Sequence, residues 1–90
     1  MSFENVHNYY ERLVREEIQQ VATKKPLDVD EATIEDIGCV ALNQLPPRYV
    51  RHDVDLVFYL SSKERQEMNE AVTRAVADAI DLVSQHKRAQ

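Results

Sequence analysis

Ninety residues with eleven Lys and Arg against sixteen Asp and Glu, a net charge of -5, make one domain with a thin core. A hydrophobic fraction of 43% beside 30% charged residues is globular, and the acidic balance argues against general nucleic-acid binding while leaving room for a local basic patch. One glycine excludes phosphate-cradling glycine loops, one cysteine excludes an intramolecular disulfide or a several-cysteine zinc site, and no apolar run reaches membrane-spanning length. Nothing at the start of the chain reads as a secretory leader, so the expected location is the cytoplasm, with residues 1–90 as a single domain.

The first expected element is a helix from Glu4 to Val21. Val6, Tyr10, Leu13, Val14, Ile18 and Val21 recur at three- and four-residue spacing, and Asn5 or Ser2 is placed to cap it. His7, Asn8, Tyr9 and Glu11 form a polar edge beside that stripe, where Tyr9 serves either packing or ligand contact. Thr23 to Pro26 end this helix, and Thr23 to Asp30 make a connection in which Leu27 to Val29 form a short extended piece or Leu27 simply anchors the loop.

A second helix is expected from Asp30 or Thr33, with Ile34, Ile37, Gly38, Ala41, Leu42 and Leu45 as its buried stripe. Cys39 reads as a small buried hydrophobe. Gly38 costs helix propensity, which implies a close approach by another helix or a bound group. Pro46-Pro47 then stops the helix and sends Arg48 out on a stiff path.

Alternation of Val54, Leu56, Phe58 and Leu60 with Asp55, Val57 and Tyr59 predicts a strand over about 54–60. One strand cannot stand alone, so it requires a partner within the chain, at 49–52 or 27–29, or across a dimer. Ser61 or Ser62 starts the last and longest helix, Lys63 to about Gln85, with Ser61 and Glu64 spaced as a capping box and a basic, frayed tail over 86–90. Met68, Ala71, Val72, Ala75, Val76, Ala79, Ile80 and Val83 form its stripe. Together these elements give an α+β, mostly helical fold of three helices and one short strand. The thin core favours a homodimer, and Phe58, Met68, Val72, Ala75, Val76 and Ala79 are the expected interface.

Catalysis finds no support: no nucleophile, base and orienting group can be named together. His7, His52 and His86 fall on three separate elements, so neither a metal site nor a cofactor is expected. The remaining candidate is the cluster Arg48, Tyr49, Arg51 and His52. Two guanidinium forks suit phosphates and the tyrosine between them suits stacking on a base. Alternatively these groups pair with Asp53, Asp55 or acidic helices and serve folding alone.

HNYYERLVREEI at His7 to Ile18 and DIGCVALNQLPPRYV at Asp36 to Val50 resemble the late competence development protein ComFB family. The matching positions are Asn8, Glu11, Leu13, Val14, Glu16 and Glu17, then Ala41 to Asn43 and Leu45 to Val50. The resemblance implies a small cytosolic regulator that is dimeric and, in some members, a receptor for the second messenger cyclic di-GMP. It points to Arg48, Tyr49, Arg51 and His52 as the ligand site, with Tyr9, Arg12 or Asn43 opposite. Some members carry a zinc-holding cysteine cluster before the ALNxLPP helix; residues 27–36 here contain no cysteine, so zinc is not expected. The other function in view is a protein-interaction adaptor with an unidentified protein partner and no nucleotide ligand.

Overall fold

The computed structural model describes residues 1–25 and 29–88, with side chains through His86. Along the chain run β1 (His7–Asn8), α1 (Tyr10–Lys24), α2 (Glu31–Gln44), β2 (Tyr49–Val50), α3 (Asp53–Tyr59) and α4 (Ser62–Arg88). Leu27 and the last two residues of the expected tail lie outside the described residues.

Side-chain caps mark where α2 and α4 begin. Asp30 caps α2: its carboxylate accepts from the Thr33 amide at 2.9 Å and from the Thr33 hydroxyl at 2.6 Å. Thr33 is therefore a buried residue in the first turn and not the cap. Ser61 caps α4, accepting from the Glu64 amide and donating to the Glu64 carboxylate, each at 3.1 Å. The other end of α4 reaches Arg88, so residues 86–88 continue the helix where a frayed tail was expected. Leu45 ends α2 in an extended conformation (φ -97°, ψ 145°), as a residue ahead of proline prefers.

The core is a three-helix arrangement. α2 packs against both α1 and α4, and α1 also meets α4. Tyr10, Val14 and Ile18 of α1 face Ile37 and Ala41 of α2, with Leu45 at the end; Val72, Ala75, Val76 and Ala79 of α4 close the third side. Ala75 and Ala79 are one turn apart and Ala41 is fully buried, which lets the helix backbones approach closely. Burying each of Val14, Ile37 and Val76 contributes about 1.5–3 kcal/mol.

Several expectations are corrected. The helix expected from Glu4 instead starts at Tyr10, after a turn at residues 4–5 and the strand β1, and Val6 is exposed. The expected strand at 54–60 is the helix α3, so the described residues form four helices and a two-stranded antiparallel sheet. That sheet pairs His7 with Val50 and Asn8 with Tyr49. β2 thus pairs with β1 rather than with 54–60. A seven-residue helix satisfies its hydrogen bonds locally, and Asp53 and Asp55 in its first turn suit the positive helix end. On α2, Cys39 is exposed and Ile34 is 38% exposed, because packing against α1 and α4 covers only the face of Thr33, Ile37 and Ala41. Gly38 accommodates no close neighbour: a Cβ there would meet nothing within 4 Å.

Candidate functional site

The prolines release the chain toward the start of α1, where the side chain of Asn8 receives it. Asn8 Oδ1 accepts from the Tyr10 amide at 3.1 Å, opening α1, and from the Arg48 amide at 3.3 Å, anchoring the incoming segment. The Glu11 carboxylate reaches back to the Asn8 amide at 3.1 Å, completing a capping box across residues 8–11. One residue on, the Tyr9 amide donates to the Arg48 carbonyl at 2.7 Å. Arg48 is therefore held through both of its backbone groups, and the β1–β2 pairing fixes the next two residues.

Downstream, Asp53 fastens the start of α3. His7 Nε2 donates to Asp53 Oδ1 at 2.6 Å, and Arg12 Nε lies 3.5 Å from Asp53 Oδ2. His7 Nδ1 also lies 2.9 Å from the Asn5 carbonyl oxygen. Both ring nitrogens face acceptors, and only the imidazolium can donate from both. The hydrogen bond to Asp53 is the main cause that raises the His7 pKa above its ordinary value, reinforced by the Asn5 carbonyl. The same bond is the main cause that lowers the Asp53 pKa.

Between these two anchors, Arg48, Tyr49, Arg51 and His52 all face solvent. Alternation in β2 turns Val50 inward and leaves Tyr49 65% exposed. No ion pair engages Arg48 or Arg51 among the described residues. Burial pushes the Tyr10 hydroxyl pKa up, while the nearby charge of Arg48 opposes that shift. Beside Tyr49 lies a cleft of about 340 Å³ lined by residues that include Asn8, Glu11, Leu42, Asn43 and Pro47.

The structure brings together only part of the expected set. Arg48, Tyr49, Arg51 and His52 form one continuous exposed segment, and Asn43 shares the cleft with Tyr49 while its amide donates to the Cys39 carbonyl at 2.9 Å. Tyr9 is 6% exposed and belongs to the interior; Arg12 is engaged by Glu16 at 3.0 Å as well as by Asp53. Of the residues expected at a dimer interface, Val72, Ala75, Val76 and Ala79 are buried in the chain's own core, and Met68 packs at its edge. Phe58 is 85% exposed. Asn8, Glu11, His7 and Asp53 were not among the expected site residues, although they position the segment. The available signal was Asn8 followed by Glu11, the spacing of a capping box.

Among the described residues, no group of three or more His, Cys, Asp or Glu could hold a metal ion. No helix there is long and apolar enough to cross a membrane. A model of the family described as late competence development protein ComFB matches residues 7–87, extending well past the motifs that end at Val50. No curated protein and no solved structure shows significant similarity to the chain.

Proposed function

Because the chain belongs to the late competence development protein ComFB family, we propose that it is a receptor for cyclic di-GMP that relays this signal to competence, motility or surface behaviour. Its family role is regulatory, competence-related and non-enzymatic. The observation carrying the nucleotide reading is the exposed, anchored segment in which Arg48 and Arg51, neither ion-paired among the described residues, flank exposed Tyr49. Each guanidinium fork matches a phosphodiester or the O6/N7 edge of guanine. The phenol ring supplies a stacking surface, and His52 adds a further donor when protonated. Anchoring matters energetically, since a segment already fixed loses little freedom when ligand arrives. In a chain of net charge -5, attraction of a dianionic ligand must come from this local cluster.

Isothermal calorimetry with cyclic di-GMP tests the proposal. Saturable binding is expected, lost in Arg48→Ala and in Arg51→Ala while far-UV circular dichroism stays unchanged. Absence of both heat and thermal shift at about millimolar ligand, an affinity floor near -4 kcal/mol, refutes it.

A second reading rests on α3, whose Val54, Phe58 and Tyr59 are 68%, 85% and 84% exposed. This apolar surface fits an adaptor that engages a second copy of the chain or another protein without nucleotide. Sedimentation of wild type against Phe58→Ser distinguishes them: a dimer lost in the variant assigns α3 to self-association.

A further inference from the structure

On the face of the α1–α2 pair that bears Ile34 and Gly38, two rows of small and apolar side chains run side by side. Val14, Ile18 and Ala22 repeat every fourth residue on α1, and Ile34, Gly38 and Leu42 do the same on α2. Between the rows lies an open groove of about 450 Å³. Residues 11–22 of α1 border it, a length of about 16 Å or three helical turns. Val14 and Ile18 belong to the buried core and form the floor of this groove, while Ile34, 38% exposed, stands at its edge, so a further helix packs in by inserting its own side chains. Gly38 stands at the middle of its row, and the empty space above its Cα opens a notch where a large side chain can enter.

Charge selects the occupant. Among the described residues that line the groove, Glu11, Glu31 and Glu35 stand against one cation, Arg15. A fatty-acyl carboxylate would be repelled there. The chain's own exposed helices are also disfavoured: Asp53 and Asp55 accompany Val54 and Phe58 on α3, and Asp78 and Asp81 lie near Leu82 on α4, while exposed Phe3 and Tyr49 belong to no helix. We propose that this groove docks an amphipathic helix of a partner protein, with basic residues flanking its apolar stripe and a large apolar anchor over Gly38. The groove shares Glu11 and Leu42 with the cleft beside Tyr49, so the docked helix ends next to the anchored segment. The docking is independent of any nucleotide.

The test uses the full chain and a fluorescein-labelled amphipathic peptide of about four turns, leucines on one face and lysines beside them. A twin peptide carries glutamates in place of the lysines. The lysine peptide is expected to give saturable anisotropy and to move the amide signal of Gly38, readable as the chain's only glycine. The glutamate twin should bind at least about tenfold more weakly. Gly38→Leu, which fills the notch, should weaken the lysine peptide at least about tenfold with helicity retained. Glu31→Lys with Glu35→Lys should reverse the preference between the two peptides. Should Gly38→Leu fail to fold, the Glu31→Lys, Glu35→Lys reversal and the Gly38 signal decide alone. Equal affinity for both peptides, no displacement of the Gly38 signal, or unchanged binding by a folded Gly38→Leu overturns the proposal. So does a wild-type dimer that Gly38→Leu makes monomeric, which would assign the groove to a second copy.

Discussion

Asn8→Ala tests how the anchored segment is built. Asn8 is 9% exposed, and its single side-chain oxygen serves two amides from distant parts of the chain, Tyr10 and Arg48. Loss of an N-cap acceptor costs about 1 kcal/mol. Leaving the part-buried Arg48 amide without its acceptor costs about 1 kcal/mol more, at the low end for a buried group because water has partial access. The Glu11 bond to the Asn8 backbone survives, so the expected total is about 2 kcal/mol, with the two losses coupled through one atom. For a domain of this size that lowers the melting temperature by about 8–16 °C.

Urea unfolding followed by circular dichroism measures it, with the slope expected to stay constant while the midpoint falls. Asn8→Asp keeps the acceptor and places a negative charge at the positive end of α1, so it should stay within about 0.5 kcal/mol of wild type. A loss under about 0.5 kcal/mol for Asn8→Ala refutes the double role. Equal damage from Asn8→Asp would show that something other than the acceptor matters.

Two further outcomes follow from the same geometry. Gly38→Ala should raise stability by about 0.5–1 kcal/mol, since a Cβ meets nothing within 4 Å and alanine is the better helix former; denaturant midpoints check it. For the His7–Asp53 pair, the raised His7 pKa gives stability that is complete below the ordinary 6.5 and lost as pH rises through the elevated value. The lowered Asp53 pKa gives stability that is present above the ordinary 3.8 and lost as pH falls through the depressed value. The pair therefore contributes fully between about pH 4 and 6.5. NMR titration should place the His7 midpoint above 6.5, and Asp53→Asn should bring it down toward that value.

The helices with one-sided packing were legible because a single apolar period dominates each: Tyr10, Val14 and Ile18 on α1, and Val72, Val76 and Ala79 on α4, are the buried stripes expected. The cap at Ser61 and the stop at Pro46 were legible because they are local chemistry, whereas Asp30 and Thr33, three residues apart, offered two possible caps for α2. The segment 53–60 was misread because Val54, Val57 and Phe58 satisfy a helical spacing while Val54, Leu56 and Phe58 satisfy a strand spacing. Over seven residues the two patterns cannot be separated. The actual partner of β2 was equally hidden, since β1 and β2 are strands of two residues that carry no periodic signal. The expected start of α1 at Glu4 hid Asn8 and Glu11 inside a helix, so a capping box was read as a polar edge. Cys39 and Ile34 were misplaced because the run from Ile37 to Leu42 is apolar all round, and a sequence does not show which flank neighbouring helices leave uncovered.

The segment from Arg48 to His52 owes its exposure to bonds made behind it. Arg48 is fastened through its amide and carbonyl, Val50 through the β1 pairing, and Asp53 through His7 and Arg12. None of these uses the side chains of Arg48, Tyr49, Arg51 or His52, which leaves all four in water on a backbone held at both ends. An acidic chain would ordinarily neutralise two neighbouring arginines with its own carboxylates. Here Asp53, the carboxylate next to Arg51 and His52, is instead taken up by His7 and Arg12 from the opposite side. The engagement of Asp53 ties down the end of the segment, and the segment stays cationic because that carboxylate is bonded to His7 and Arg12 and not to Arg48 or Arg51. A single carboxylate thus links the stability of the β1–α3 junction to the charge the segment offers a ligand. Replacing it with asparagine loosens the anchor without adding a competitor for the arginines, so any loss of ligand affinity in Asp53→Asn measures rigidity rather than charge.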